Sequence, residues 1–574
     1  MEASFWNGKR APGVPDQIDL SKYNAVVEVI ESAFQRYADR PAFTSINYTL
    51  TYRQIDEYSA AFAAYLQNHT SLQPGDRIAI QMPNILQFPI AMYGALRAGL
   101  IVVNTNPLYT EREMLHQFND SGAKALVCMD VFARSVQNIK DQTGLKHIIV
   151  TSLADMLPFP KRNIINAAAK YIKKMVPAYS LPEAVRFRTA LQQGAKFGGF
   201  VANYMRNPDD TIILQYTGGT TGVAKGAELT NRNLVANMLQ SRAQLSQVDP
   251  ATGKPIKPDT GVKVVAPLPL YHIYSFTVHL MALFELGDHS ILIANPRDTN
   301  MFVRMIKPHQ LTGFIGLNTL FVSLLNHPEF KNCDFSQLKL TLSGGTALVE
   351  NTAKRWKELT GCGISEAYGL TECSPAVTMN PTNGLERMGT VGQAIPGTAL
   401  KCIDPDGNEV PVGERGELCV KGPQVMKGYW NRPDATAASF TADGEWLRTG
   451  DVAVIDEDGF VKIVDRIKDM ILVSGFNVYP NEIEDVVAMH PGVENAAVIG
   501  VPDDKTGEAV KLFVVALDQN LTIEDIKKHC KENLTGYKLP RHIEFRKELP
   551  MSPVGKILRR ELKDEEAKKQ AATA

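Results

Sequence analysis

Hydrophobic and polar positions alternate along this chain in two rhythms. In TYRQIDEYSAAFAAYL (51–66) apolar residues return every three or four positions, which predicts a helix; DRIAIQM (76–82) reads as a short strand. Apolar runs followed by turns and helical patterns recur at TIILQY, VKVVAPL and LKLTLSGG. That recurrence predicts an α/β fold with largely parallel sheets, and no internal repeat or low-complexity stretch interrupts it. After about residue 466 the texture changes. NEIEDVVAMH, ENAAVIGV, KLFVVAL, TIEDIKKHCKENL and HIEFRKEL suggest a small α+β unit, joined to what precedes it by the short, charged stretch VDRIKDMILVSG. The expected organisation is a large multi-sheet domain over 1–465 and a small mobile domain over 466–574, with the last dozen residues frayed.

Composition narrows the class. A length of 574 residues exceeds what one core supports. Lys plus Arg number 61 against 62 Asp plus Glu, a balance that does not suggest a nucleic-acid binder. Seven scattered cysteines with no Cys-x-x-Cys argue against a disulfide framework or a zinc site and fit a reducing compartment. MEASFWNGKR has no apolar core for a signal peptide, and no run of eighteen apolar residues occurs, so a cytoplasmic protein is expected.

Chemistry enters at YTGGTTGVAKG (216–226), directly after an apolar strand pattern. Gly218, Gly219, Gly222 and Gly226 free backbone N–H groups to face an anion, Thr217, Thr220 and Thr221 add hydroxyls, and Lys225 adds a charge. The run lacks the Gly-Lys-Ser/Thr ending of the best-known phosphate loop. On composition alone it could equally be a turn leading into the helix NLVANMLQ, capped by Thr230 or Asn231.

Four further stretches change that balance: SEAYGLTECSP (365–375), WLRTGD (446–451), VDRIKDMILVSGFNVYPNEIE (464–484) and PMSPVGKILRREL (550–562). In this order, over residues 25 to 563, they resemble the adenylate-forming superfamily of acyl-CoA synthetases, luciferases and peptide-synthetase adenylation domains. The subgroup they look most like is the bacterial long-chain fatty acid–CoA ligases.

The resemblance implies that a carboxylate attacks the α-phosphate of ATP, giving an acyl-adenylate, after which the thiol of CoA displaces AMP. ATP and CoA are then co-substrates with a fatty acid, and Mg²⁺ is the implied cofactor. The loop 217–225 would wrap the β- and γ-phosphates, with Gly218 and Ala224 departing from the commonest pattern. Glu372 would hold Mg²⁺, since a hard cation takes one carboxylate with phosphate and water oxygens. Thr371 would donate to the α-phosphate and Tyr368 would flank adenine. Gly344, Gly345 and Thr346 would pass beneath the base, Asp451 would accept the ribose hydroxyls, and Arg466 would reach the ribose or phosphate side. Lys556, in a motif where Ser552 replaces a commoner threonine, would reach the reacting carboxylate and α-phosphate. Gly475 would line the pantetheine passage after the small domain turns about Lys468. His272 would line the acyl pocket; as a lone histidine beside an apolar run it reads equally well as a core residue.

GFIGLNTLFVSLLN (313–326) is a candidate wall of an alkyl tunnel, although its spacing favours a core helix. From 159 to 206 nine basic residues face Glu183 alone. NIINAAAKYIKKMV is expected to put Ile164, Ile165, Ala168, Ile172 and Met175 on one helical face and Lys170, Lys173 and Lys174 on the other, a pattern for peripheral contact with a membrane's inner face. Homodimerisation is left open. Competing readings are an aryl or coumarate-type CoA ligase, an acyl-AMP ligase loading a carrier protein, a luciferase-like oxidation and a nucleotide-binding scaffold without activity.

Overall fold

The computed structural model describes residues 1–573 except 203, 218–223, 257–260, 504 and 553–554, with side chains as far as residue 569. Two large sheets build most of the chain. The first runs in the order Gln393–Ala394, Ala376–Met379, Ser365–Gly369, Leu340–Gly344, Gly313–Gly316, Lys263–Ala266, His289–Leu292, Pro41–Ser45 and Tyr48–Thr51. The second runs Gly428–Tyr429, Lys225–Thr230, Thr211–Thr217, Ile101–Asn104, Arg77–Gln81, Ala123–Met129, His147–Thr151 and Val185–Arg186. Their central strands are parallel and apolar on both faces, as expected where helices cover each side. Helix Gln87–Arg97 is buried at every residue, and Asn231–Gln244 at most of its residues, so both lie inside the main core.

A third, antiparallel sheet joins Ala399–Ile403, Arg415–Lys421, Leu447–Ile455 and Val461–Arg466. Beyond it a small unit carries five strands: Phe476–Val478, Ile471–Val473, Gly507–Ala516 and Val493–Asp503, with His542–Arg546 beside Gly507–Ala516. Helices Pro480–Ala488 and Ile523–Asn533 cover it over a separate core of Ile471, Val498, Leu512 and Ile526.

Local signals are obeyed where they are complete. Helix Tyr52–His69 starts at a capping box in which Thr51 and Gln54 satisfy each other's backbone N–H, and Thr230 with Asn233 does the same for Asn231–Gln244. Two expectations are corrected. The glycine-rich run does not join a strand to a helix: Thr211–Thr217 and Lys225–Thr230 are antiparallel partners, so it links two strands of a hairpin, and the helix follows the second. The C-terminus does not fray early, since helix Arg559–Thr573 is held by buried Leu562 and by Lys511 bonded to Glu566 at 2.7 Å.

Candidate active site

The candidate residues converge at the ends of Leu340–Gly344 and Ser365–Gly369, where the third sheet and the small unit meet the first sheet. Strand Ser365–Gly369 runs out into a short 3-10 turn, Thr371–Cys373, which carries Glu372. The Glu372 carbonyl accepts from the Met426 N–H (2.7 Å), and its Oε1 accepts from the Tyr429 hydroxyl (2.7 Å). The Lys225 ammonium stands 4.4 Å from the centre of the same tyrosine ring, a cation–π contact. Gly428–Tyr429 pairs with Lys225–Thr230, which brings the ring between the two groups. Tyr429 was not singled out from sequence; MKGYWN has no spacing that announces it, and only this long-range pairing places it.

Thr217 and Lys225 are ladder partners at the mouth of the hairpin. The Ala224 carbonyl accepts from His116 Nε2 at 2.9 Å. Gly226 packs closely, since a Cβ there would sit 3.0 Å from the Tyr216 ring and the ring would have to give. Gly218, Gly219, Thr220, Thr221 and Gly222 lie outside the described residues.

Asp451 is 4 % exposed and opposes Arg466 across the third sheet. Its Oδ2 accepts from the Tyr368 hydroxyl (2.6 Å), and its Oδ1 pairs with Arg466 Nε (3.0 Å). Burial, then the Asp451 charge, hold the Tyr368 hydroxyl well above its ordinary pKa, so it stays a donor. Each carboxylate oxygen keeps a second lone pair, so the acid retains acceptor capacity.

Beside these lies the Ser343–Thr346 loop. Gly345 has φ +88°, and a Cβ on Gly344 would lie 3.2 Å from both the Ala367 carbonyl and the Tyr274 ring. Three hydroxyls on or next to the loop, from Ser343, Thr346 and Tyr274, are buried with no hydrogen-bond partner. Buried polar atoms left unpaired cost about 1–3 kcal/mol each. Such a loop suits a flat polar ligand able to supply partners.

Lys556 reaches this place from the small unit. Ser552 Oγ accepts from the Lys556 N–H (3.0 Å), and the Ser552 N–H donates to the Lys556 carbonyl (2.7 Å), closing a tight turn with Gly555 at φ +75°. The turn abuts the large domain: a Cβ on Gly555 would fall 2.8 Å from Thr319 Oγ1 and 2.9 Å from Leu317 Cδ1. A Cβ on Gly345 would be 3.8 Å from Lys556 Cε. Burial, then Arg466, lower the Lys556 pKa, while Asp451 and Glu372 oppose them. Four charges from four separate stretches therefore act on one another.

His272 caps the turn Ile273–Ser275 by accepting the Tyr274 N–H at Nδ1 (3.3 Å), which leaves the proton on Nε2. Burial, then the Lys556 charge, push its pKa down to about 4, so the ring is neutral at pH 7. Glu366, also absent from the sequence-derived set, is buried and accepts the Leu348 N–H at 2.9 Å; burial pushes its carboxyl up to about 8.

Two candidates lie at the edge of this group, although Lys468 feels the Arg466 and Asp451 charges. Lys468 is exposed in the turn Ile467–Asp469 between the units. Gly475, φ +83°, sits at the tip of the hairpin Ile471–Val473/Phe476–Val478, with nothing within 4 Å of a Cβ. The stretch 313–326 packs as core: Phe314 and Phe321 lie 4.9 and 4.7 Å from Trp356, ring to ring, while Leu317 and Thr319 turn toward Gly555. The tunnel-wall reading of that stretch is therefore dropped. A cavity of about 340 Å³ lies away from Lys556, between the third sheet and helix Pro480–Ala488, lined by Arg415, Lys462, Glu482 and Asp485 among others.

Comparison with known proteins fits this arrangement. The model of the AMP-binding enzymes matches residues 30–430, and that of the AMP-binding enzyme C-terminal domain matches 482–556. The chain belongs to the AMP-binding enzyme family. Among AMP-binding relatives, the long-chain-fatty-acid–CoA ligase of Escherichia coli O6:H1 is 50 % identical over 98 % of both chains, and that of Bacillus subtilis 36 % over 98 % of both. ATP-bound MatB from Rhodopseudomonas palustris shares the fold with TM-score 0.77 at 28 % identity, covering 94 % of this chain and 98 % of its own. The anthranilate–CoA ligase AuaEII, 24 % identical, matches in fold with TM-score 0.83 over 97 % of this chain and all of its own.

Proposed function

We propose that this enzyme converts medium- to long-chain fatty acids to acyl-CoA through an acyl-adenylate, releasing AMP and pyrophosphate. The observation that carries the reading is Lys556, presented by the small unit against Gly345 and within the field of Arg466, Asp451 and Glu372. A mobile cation there can meet both the incoming carboxylate and the α-phosphate, whose repulsion is the main barrier to adenylation. The relatives' names support the substrate class.

In this reading Tyr368, Gly344, Gly345 and Thr346 seat the base, and Asp451 with Arg466 orients the ribose. Thr217 and Lys225, at the feet of the 218–223 run, face the outer phosphates, and Thr371 donates to the α-phosphate. Among the described residues no cluster of three or more acidic, histidine or cysteine side chains could hold a metal alone. Glu372 has one oxygen held by Tyr429, and among the described residues no protein group donates to the other, which fits a single-carboxylate Mg²⁺ site completed by phosphate oxygens. The ion would neutralise phosphate charge there. Neutral His272 is suited to line the path of an uncharged alkyl chain and to offer its Nε2–H toward the carboxylate.

Thioester formation requires a second arrangement, in which the small unit turns about Lys468 and brings the Gly475 hairpin to the nucleotide for CoA. The open surroundings of Gly475 are consistent with a face not engaged in the first step. Among the described residues no helix is long and apolar enough to cross a membrane; contact with one would be peripheral, through 159–206. Pyrophosphate release driven by acids from hexanoate to stearate, against coumarate, tests the substrate. A faster rate with coumarate than with palmitate overturns it, and AMP release that ignores CoA would favour a carrier-protein ligase.

A further inference from the structure

The segment between strands His147–Thr151 and Val185–Arg186 is built inside out. Helix Lys161–Ala167 continues as a π-helical turn, Ala168–Ile172. Sequence periodicity predicted one apolar stripe; Ile164 already lies outside it in the regular helix, and the extra residue of the wider turn rotates the residues that follow. Only Ile165 and Ala169 face the body. Asn166 ties the helix down: its Nδ2 donates to Asp155 Oδ1 and its Oδ1 accepts the Ala154 N–H, both at 2.9 Å. The large apolar side chains point outward. Phe159, Ile164, Tyr171, Ile172 and Met175 are between 47 % and 76 % exposed.

Lysines 161, 170, 173 and 174 are exposed among them, and none forms an ion pair among the described residues. No acidic residue occurs from 159 to 182. A helix on a water-facing surface ordinarily turns its apolar face inward. Five large apolar groups ringed by lysines without an ion pair among the described residues, one of them, Lys170, over the Tyr171 ring at 5.4 Å, and held by a polar tether have the character of an interfacial anchor.

We propose that residues 159–175 dock the protein on an anionic lipid bilayer, with Ile164, Tyr171, Ile172 and Met175 entering the headgroup boundary and the lysines meeting lipid phosphates. The inference deepens the proposed function, on which it rests for its rationale: the substrate itself partitions into bilayers. A surface for nucleic acid would not expose aliphatic side chains at its centre, and a bilayer uses both the apolar tips and the charge around them.

The test uses full-length protein with vesicles of phosphatidylcholine alone or with 30 % phosphatidylglycerol (roughly, a mildly anionic membrane), co-sedimented at low and high salt. Each lysine near an anionic surface strengthens binding about five-fold. K170E/K173E/K174E should therefore weaken binding at least about a hundred-fold, and Y171S/I172S should lower it on the same vesicles. In Tyr171→Trp, emission should shift to the blue and be quenched by bromolipid. Because these side chains are exposed, octanoate-driven pyrophosphate release should be unchanged, so loss of docking and failure of the acyl-CoA reading are separately visible. Equal sedimentation of wild type and variants, equal binding to neutral vesicles, or a Tyr171/Ile172-dependent dimer in place of vesicle binding would each overturn the proposal.

Discussion

Gly555→Ala offers a direct test of whether Lys556 acts through the arrangement described. Two effects separate cleanly. A side chain at φ +75° costs about 1–2 kcal/mol in either arrangement of the small unit, because it is local to the turn. The second effect belongs to this arrangement alone. The new methyl would stand 2.8 Å from Thr319 and 2.9 Å from Leu317, where ordinary contact is roughly 3.5–4.0 Å. Overpacking of that kind costs about 1–3 kcal/mol, and because both neighbours are side-chain tips the lower half of the range applies. A penalty of about 1–2 kcal/mol is about a 5- to 30-fold fall in the population that presents Lys556. Adenylation, followed as pyrophosphate release from ATP and palmitate, should slow by that factor. Conversion of supplied palmitoyl-adenylate to palmitoyl-CoA should change little, and Thr319→Ala should recover part of the loss. Equal slowing of both half-reactions, or of neither, would refute the argument that the contact at Leu317 and Thr319 sets the first step.

Lys556→Ala should reduce adenylation by about 10²–10³, the loss of one transition-state charge contact, and spare thioester formation from supplied adenylate; rapid-quench assay of each half-reaction checks it. Gly475→Leu should do the reverse, with acyl-adenylate accumulating on chromatograms of quenched reactions. Arg415→Ala removes the Arg415–Glu482 ion pair (2.9 Å) that joins the third sheet to the small unit, and should shift the ratio of half-reactions toward thioester formation, an effect mimicked in wild type by salt. His279 and His289 are buried with pKa values pushed down to about 3 by burial. Both are neutral in folded and unfolded chains above the unfolded value near 6.5. Below it the unfolded chain binds protons first, so stability falls between about pH 6.5 and 3 by up to about 1.4 kcal/mol per pH unit for each. Thermal melts across that range should show the fall, and His289→Gln should flatten it.

Legibility followed the range over which the physics acts. The capping boxes at Thr51 and Thr230, the apolar strands and the small unit's pattern are local, and they could be read directly. Glu372, Asp451, Arg466 and Lys556 could be singled out because each sits in a motif, although nothing local says that they share one field. Tyr429 was not findable, since its role depends on pairing Gly428–Tyr429 with Lys225–Thr230. Glu366 was passed over because it lies within the stretch SEAYGLTECSP, where Glu372 drew the chemistry, and nothing local marks it as buried. The stretch 313–326 shows the limit of composition: an apolar run serves a tunnel or a core equally well, and Trp356 decided for core. The outward turn of Ile172 was hidden by one π-helical turn that no periodicity count anticipates, whereas Ile164 lies in the regular helix before it and is left outside because Ile165 and Ala169 set the inner face.

The charges gathered around Lys556 also have a consequence for the order of events. Lys225, Arg466 and Lys556 bring three positive charges and Glu372 and Asp451 two negative ones, with His272 neutral, so the protein contributes a single positive excess. A nucleoside triphosphate beside a fatty acid overwhelms that excess many times over. An acyl-adenylate, with one ionised phosphodiester-like group, cancels it. In the proposed reading the side chains of the cleft would match the charge of the intermediate, and the entering triphosphate and leaving pyrophosphate would need the Mg²⁺ ion to offset theirs. Once the ion departs with pyrophosphate, that polyanion would no longer be held, and the adenylate, the one reactive molecule that water must not reach, would stay.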